Sequence, residues 1–293
     1  MMKRNSLQPK MGIFFSIVLI FLIIVTTCLL TLLFWGFLKS LQSVDAYLLN
    51  GAAEADLPYK LSDMTFTNYI DAFSKLKYGE VYLAEMFGNS IFYSAGCAFC
   101  STMVPCIVGY ATARYKVWFN KVISFIIYFN MVFQFYGAMP SMIQITDLLG
   151  LRNTWPGIFI MKSSILGGGY LFFHVTFRAL AKDYSEAAII DGANHWQIMV
   201  DIVFPLAKTI ILVQFVAAFI TCWNDYQTPL IYLNNAPTAA YGLFLFSQST
   251  DSYTDYLVYK LAGFMLLLIP TFTVFMFLKK YFLGEVTAGG VKE

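Results

Sequence analysis

The sequence predicts an all-α membrane protein built on six transmembrane helices, and three observations carry that expectation. Of its 293 residues 59% are hydrophobic and 12% charged, about half the roughly 25% charged share of a soluble domain. The apolar residues fall in runs long enough to cross a bilayer core, which takes about 20 helical residues. Lys and Arg gather in the gaps on one side of those runs.

Residues 1–10 carry Lys3, Arg4 and Lys10, and the 27 residues Met11–Phe37 hold no charge. A signal peptide would have an apolar region of about 7–15 residues with a small-residue cleavage point close behind. Ala53-Glu54-Ala55 has that look but lies too far downstream, so the run reads as a retained first span. Residues 38–87 are polar, with Asp45, Glu54, Asp56, Asp63, Asp71, Glu80 and Glu85, and Thr65–Phe73 suggests a short amphipathic helix. Gly88–Ala113 is the second span, closed by the basic turn Arg114, Lys116 and Lys121. Val122 to about Ile143 is the third, holding Asn130 and Gln134 and broken by Pro140, a kink that neighbouring helices can satisfy. After a loop over 144–154, the fourth span is Trp155–Phe177, with Lys162, the triplet Gly167-Gly168-Gly169 and His174. Thr209–Tyr232 is the fifth span, 233–256 a loop, Tyr256–Leu278 the sixth, and Lys279-Lys280 lead into a short tail. There is no internal repeat. The organisation expected is 1–87 (first span and loop), 88–283 (core) and 284–293 (tail).

Six spans put both termini on one side. Lys and Arg at positions 3, 4, 10, 114, 116, 121, 178, 182, 208, 279, 280 and 292 fall on that side, against 39, 60, 75, 77, 152, 162 and 260 elsewhere. The bias places the termini in the cytoplasm and the 38–87 loop outside.

Between the fourth and fifth spans lies a polar island, 183–208. Asp183 with Glu186 reads as a capping box opening a helix. Ala187, Ala188 and Ala193 keep one side thin enough for another surface to come close. Asp191-Gly192 reads as a helix stop, since glycine takes the left-handed conformation freely. Asn194 with Gln197 is a second capping box. Trp196, Met199, Ile202 and Val203 give the second helix an apolar face, and Pro205 ends the pattern. The expectation is helix, sharp turn, helix on the cytoplasmic surface of the membrane.

Several chemistries are excluded. No G-x-x-x-x-G-K-[ST], H-E-x-x-H or G-x-S-x-G occurs, so no phosphate loop, zinc-protease helix or nucleophile elbow is present. The five cysteines, Cys28, Cys97, Cys100, Cys106 and Cys222, all lie in apolar spans and read as packing residues. Ionisable groups inside spans default to function. Lys162 either snorkels to the interface or faces a pathway. Trp223, Asn224 and Asp225 join an aromatic face to amide and carboxylate groups, which suits a sugar; the alternative is a packing knot between helices. His174, one turn after Tyr170, is a weaker pathway candidate.

The island also carries a resemblance. Glu186-Ala187-Ala188, then Asp191-Gly192-Ala193 and Pro205, resembles the EAA loop of binding-protein-dependent ABC importer permeases. Gly150-Leu151-Arg152-Asn153-Thr154 is similar to the G-L-x-N-T of carbohydrate permeases, and Trp223-Asn224-Asp225 to the W-N-D of their fifth helix. The ending Tyr281 to Lys292 resembles that of the MalG-type carbohydrate subfamily. The stretch Asn130–Pro140 departs from the family's double-proline pattern, and no site is carried over from it.

The resemblance implies a type I importer permease fold whose island is a coupling helix seated on a cytoplasmic ATPase, with Glu186 as docking contact and Gly192 as turn. It implies a second, related permease, two ATPase subunits, an extracellular sugar-binding protein and a plasma- or inner-membrane location. ATP and Mg belong to the ATPase partner; this chain is expected to bind no cofactor and to catalyse nothing. The readings left open are a permease for another solute, such as a polyamine or peptide, and a membrane enzyme or sensor acting alone.

Overall fold

The structure is a computed structural model that describes residues 12–49, 60–115, 117–133, 138–164, 168–248 and 257–288. Lys3, Arg4, Lys10, Met11, Ala53-Glu54-Ala55, Asp56, Lys116, Gln134, Gly167, Tyr256 and the end from Gly289 to Lys292 lie outside the described residues.

By contacts the chain forms two compact units, Met1–Ala72 with Thr250–Met265, and Phe73–Ser249 with Leu266–Glu293. The first unit starts with α1 (Ile13–Ser40), whose apolar side chains are exposed along nearly its whole length. The helix runs past the expected end at Phe37. Lys39 is fully buried, its Nζ lying 5.1 Å from the centre of the Tyr47 ring in a cation–π contact. α2 (Val44–Leu49) follows. α3 (Thr67–Lys75), close to the expected amphipathic helix, fixes the end of α1: Asn68 donates to Ser40 O at 2.8 Å and Gln42 O at 2.7 Å.

The second unit opens with a two-stranded hairpin, β1 (Lys77–Tyr78) and β2 (Val81–Tyr82), then α4 (Leu83–Arg114). α4 is the axis of this unit. It starts five residues before the expected Gly88 because Leu83 and Met86 are buried apolar contacts of its first turn. The third span is α5 (Trp118–Val132) and α6 (Ala138–Leu148). Pro140 lies in the first turn of α6, where the missing N–H breaks no bond, so it stands at the opening of a helix instead of kinking one. The fourth span is likewise two helices, α7 (Trp155–Lys162) and α8 (Gly168–Ala179). Thr154 caps α7, its hydroxyl accepting from the Gly157 amide at 3.2 Å.

The surface hairpin consists of α9 (Asp183–Ile190), α10 (His195–Gln197), a π-helical turn over Ile198–Val203 and α11 (Phe204–Leu206). α12 (Lys208–Trp223) leaves it at a bend of 78°. The expected fifth span stops at Trp223 rather than Tyr232; Asn224 to Tyr226 form a break before α13 (Gln227–Tyr232). α14 (Ala239–Gln248) replaces the first part of the expected 233–256 loop, and its Ala239, Tyr241, Leu243 and Phe246 are buried. α15 (Leu257–Ala288) carries helix past Leu278 into the expected tail.

Among the described residues, α1, α4 and the Leu257–Phe277 part of α15 are each long and apolar enough to cross a membrane, and α12 qualifies with the helical run before it. α7, α8, α12 and α14 all pack on α4. α4 and α8 approach closely at Gly109: a Cβ there would sit 2.9 Å from Phe173 Cβ and 3.1 Å from the His174 backbone N. Two helix backbones meet at that point without a side chain between them. Gly109→Val is expected to destabilise the protein by about 1–3 kcal/mol through overpacking. A thermal melt in detergent measures it; an unchanged midpoint would mean that α4 and α8 stand further apart.

Candidate functional site

The hairpin is built by two caps. At the end of α9, Gly192 has φ +84°, its amide bonds Ile189 O at 3.1 Å, and the Ala193 amide bonds Ala188 O at 2.9 Å. These two bonds make a Schellman motif. The chain then turns directly into the capping box: Asn194 Oδ1 accepts from the Gln197 amide and Gln197 Oε1 from the Asn194 amide, both at 2.9 Å. The other expected box is absent. Lys182 holds the N-cap position of α9 and Asp183 is already helical, so no side chain caps that end; the two acids still lie in the first turn, where the helix dipole favours them.

The hairpin has an inner and an outer face. Ala188, Ile198, Met199, Val203 and Ala207 are buried against Cys106 and Tyr110 of α4 and Phe173 and Phe177 of α8. Ala193 and Ile202 pack beside them. Two of the three alanines read as a thin side, Ala188 and Ala193, lie on this inner face, where α4 and α8 come close. Trp196, expected on the packed face, is 66% exposed. Glu186, Ala187, Asp191 and Gly192 are exposed, in company with Tyr184, Ile189 and Ile190, the last 86% exposed. Pro205 does not end the helix; it lies inside α11, and the run continues to Leu206. Its missing N–H and ring crowd the preceding turn, where the helix widens to π geometry over Ile198–Val203.

The second constellation lies within the membrane-spanning part. Lys162 Nζ, at the end of α7, lies 2.9 Å from Asp225 Oδ2, in the break after α12. The same oxygen accepts from Tyr93 of α4 at 2.9 Å and from the Thr228 hydroxyl at 2.6 Å. Asp225 Oδ1 accepts from the Thr228 amide at 3.0 Å, and Lys162 also donates to Thr228 Oγ1 at 3.3 Å. Lys162 and Asp225, two separate charges in the sequence, are thus one ion pair, and Lys162 does not snorkel away from it. Its further partners, Tyr93 and Thr228, were missed; a tyrosine and a threonine in apolar runs give no signal of their own. Trp223 is 2% exposed and its indole N–H donates to Leu267 O at 2.9 Å, bracing α12 on α15. Asn224 donates to Ile220 O of its own helix at 2.9 Å.

His174 belongs to a polar chain between helices. Its Nδ1 lies 2.9 Å from Thr112 Oγ1, Tyr170 donates to the same hydroxyl at 3.0 Å, and Ser124 Oγ lies 2.8 Å from the Tyr170 hydroxyl. Beside it, a cavity of about 710 Å³ is lined by Thr112, Tyr115, Trp118, Asn120, Ser124 and Tyr128, among others. The G-L-x-N-T stretch has a structural role that its sequence did not announce. Asn153 takes φ +57°, its amide bonds Tyr232 O at 2.8 Å and its Oδ1 accepts from the Asn234 amide at 2.8 Å. Arg152 pairs with Asp147 at 3.1 Å and donates to Ile231 O at 3.2 Å. The loop is clasped to the end of α13. Cys97 and Cys222 lie buried in one apolar cluster.

Interrupted spans packed on one axial helix, with a capped hairpin held against the ends of two of them, define a membrane permease subunit. Residues 103–286 match the family described as the binding-protein-dependent transport system inner membrane component, and the chain belongs to that family. It is 27% identical over 233 residues to the arabinooligosaccharides transport system permease protein AraQ of Halalkalibacterium halodurans, covering 79% of this chain and 81% of that one. It is 25% identical over 227 residues to the maltodextrin transport system permease protein MdxG of Bacillus subtilis, covering 76% and 80%. A chain from the crystal structure of a bacterial ABC transporter involved in import of the acidic polysaccharide alginate superposes with a TM-score of 0.73 over 92% of this chain and 96% of that one, at 24% identity. That likeness carries the fold.

The ion pair makes a sharp prediction. Lys162→Met strands the Asp225 carboxylate in a poorly solvated place and is expected to cost about 2–3 kcal/mol, less than the roughly 3–5 kcal/mol of a fully buried broken pair because both groups keep some water. Adding Asp225→Asn should restore most of the loss. Melting temperatures of the two single variants and the double variant measure the coupling, and additive losses would mean that the pair is not an energetic unit.

Proposed function

We propose that this chain is one permease half of an ATP-driven importer for sugars or oligosaccharides, driven through the hairpin 183–208. In this reading the exposed face of α9 seats in a cytoplasmic ATPase, with Glu186 and Ile190 as contacts and Gly192 as the turn that sets its shape. A second, related permease completes the pathway, two ATPases hold ATP and Mg, and an extracellular binding protein delivers the sugar. Both termini lie in the cytoplasm, as the Lys and Arg distribution argues. Lys162, His174, Trp223, Asn224 and Asp225 line or brace the pathway. The substrates for which the relatives are named, arabinooligosaccharides and maltodextrin, support the substrate class.

The single observation that carries the reading is the two-faced hairpin. Its inner face is seated on α4 and α8, while Ile189 and Ile190 beside the turn, and Tyr184 at the start of α9, are left exposed. A partner that pushes on the tip therefore moves the ends of two span helices. ATP binding supplies the differential free energy between pathway states, and the hairpin transmits it.

Cross-linking from Ile190→Cys to a co-expressed ATPase tests the docking directly. An adduct that appears only with that subunit is expected; none at any position from 186 to 192 would sink the reading. The turn gives a second expectation. A Cβ at Gly192 meets nothing within 4 Å, so the cost of Gly192→Val is conformational, about 1–2 kcal/mol or more for a β-branched residue held left-handed. Uptake of labelled sugar should be lost in Gly192→Val with membrane insertion intact, and largely kept in Gly192→Asn, which tolerates this backbone. Equal uptake in both would remove the turn from the mechanism.

A further inference from the structure

A cavity of about 470 Å³ opens where α4 ends, α8 ends and α9 begins, and its lining is basic: Arg114, Arg178 and Lys182, with His174 and Thr112 deeper. No carboxylate lines it, and among the described residues none forms a salt bridge with any of the three cations. Arg114 Nε is buried and makes no hydrogen bond, while one terminal nitrogen of the same group reaches only Ala181 O at 3.4 Å. Arg114 and Lys182 also line a neighbouring cavity of about 270 Å³, where the buried Ser185 hydroxyl is likewise unpartnered and Glu186 is the one acid. Three like charges facing one space repel, and a buried guanidinium donor without an acceptor is costly. Both penalties vanish if an anion with several acceptor oxygens enters, and a phosphate matches the guanidinium fork.

The geometry points to this cavity as a phosphate-binding site, filled by the headgroup of an anionic phospholipid of the inner leaflet. The three cations stand at the ends of α4 and α8 and at the start of α9, the level at which headgroups meet the protein, and basic clefts between spans at that level attract such lipids. The inner-leaflet part rests on the sidedness given under the proposed function; the phosphate chemistry does not. A bound phosphate joins the last residue of α4 to the residues flanking the start of α9. It thereby stiffens the uncapped end of the hairpin, which no side chain of its own secures.

The full-length chain, purified in detergent with the subunits that accompany it, is titrated with phosphatidylglycerol, phosphatidylcholine and inorganic phosphate, and bound species are counted by native mass spectrometry. Saturable phosphatidylglycerol binding, tighter than that of phosphatidylcholine, is expected. Arg178→Gln should weaken it about fivefold, the factor that one cation contributes near a membrane surface. Arg178→Lys should retain most of it, and Lys208→Gln, outside the cavity, should not change it. Melting temperatures without added lipid separate loss of the site from loss of the fold; if Arg178→Gln does not fold, Arg114→Gln takes its place. Displacement of phosphatidylglycerol by inorganic phosphate at equal concentration would keep the phosphate site and overturn the lipid as its source. Binding of phosphatidylglycerol no tighter than phosphatidylcholine, with no phosphate bound, overturns the proposal, as does equal weakening by Lys208→Gln. Detergent binding is blind to sidedness, so labelling that placed Ile190→Cys outside the cell would overturn the cytoplasmic reading without touching the measured site.

Discussion

The carboxylate of Asp225 is where the second unit is tied together. It stands in the gap between α12 and α13, and it accepts from α4 through Tyr93, from α7 through Lys162 and from α13 through Thr228. Helix breaks in lipid are tolerated only where other groups take over the freed backbone and charge. Here α7 stops at the cation and α12 stops just before the anion, so the charges that end two helices satisfy each other. The pair need not add net stability over an apolar substitute of the same volume. What it fixes is position: three helices and a turn can meet in only one arrangement that leaves no charge alone.

α4 relates this knot to the surface hairpin. Tyr93 and Tyr110 lie on the same unbroken helix, 17 residues apart in sequence, or about 25 Å along its axis. The first touches the ion pair; the second is part of the apolar seat that receives Ile198, Met199 and Val203. Pro105 falls between them inside the helix, where it removes one backbone bond and softens the rod locally. α8 offers a parallel route, since His174 and Tyr170 bond Thr112 of α4 while Phe173 and Phe177 of the same helix face the hairpin. The hairpin is therefore joined to the span interior by two packed helices rather than by a loop.

The sequence made the apolar runs, the island and its turn legible, because each rests on a local rule: run length, glycine after an acid, an asparagine three residues before a glutamine. The Gly192 turn and the Asn194–Gln197 box stand where those rules put them. What failed were boundaries and partners set by tertiary contact. Asp183 has the spacing of a cap, but it is already helical, and Lys182 in the N-cap position makes no side-chain cap bond. Trp196 fits an apolar stripe at a period of 3.6, yet the turn after it is π-helical, which rotates the buried face onto Ile198 and Met199. α14 was hidden because its apolar run is too short for a span and lies among loop residues; its first amide is met by Ser90 at 2.7 Å, a contact 149 residues away in sequence. The pairing of Lys162 with Asp225 is of the same kind, since each was visible alone and their meeting was not.

A lever must be stiff at its tip and firmly seated at its base. To move a two-state pathway from about 1:99 to 99:1 takes roughly 5.5 kcal/mol of differential interaction. A tip that unwound under load would dissipate that energy in local disorder, since freeing each residue's backbone returns about 1–2 kcal/mol of conformational entropy. The turn between α9 and α10 meets that requirement by joining a Schellman bond pair directly to a capping box, four hydrogen bonds across the short stretch from Ala188 to Gln197. The base is apolar: Ala188, Met199 and Val203 pack in one cluster with Phe173 and Phe177, a contact that relies on no directional bond. In the proposed coupling role, a rigid tip on an apolar seat would pass one displacement on whole, and that role would account for polar bonds concentrated where the chain reverses.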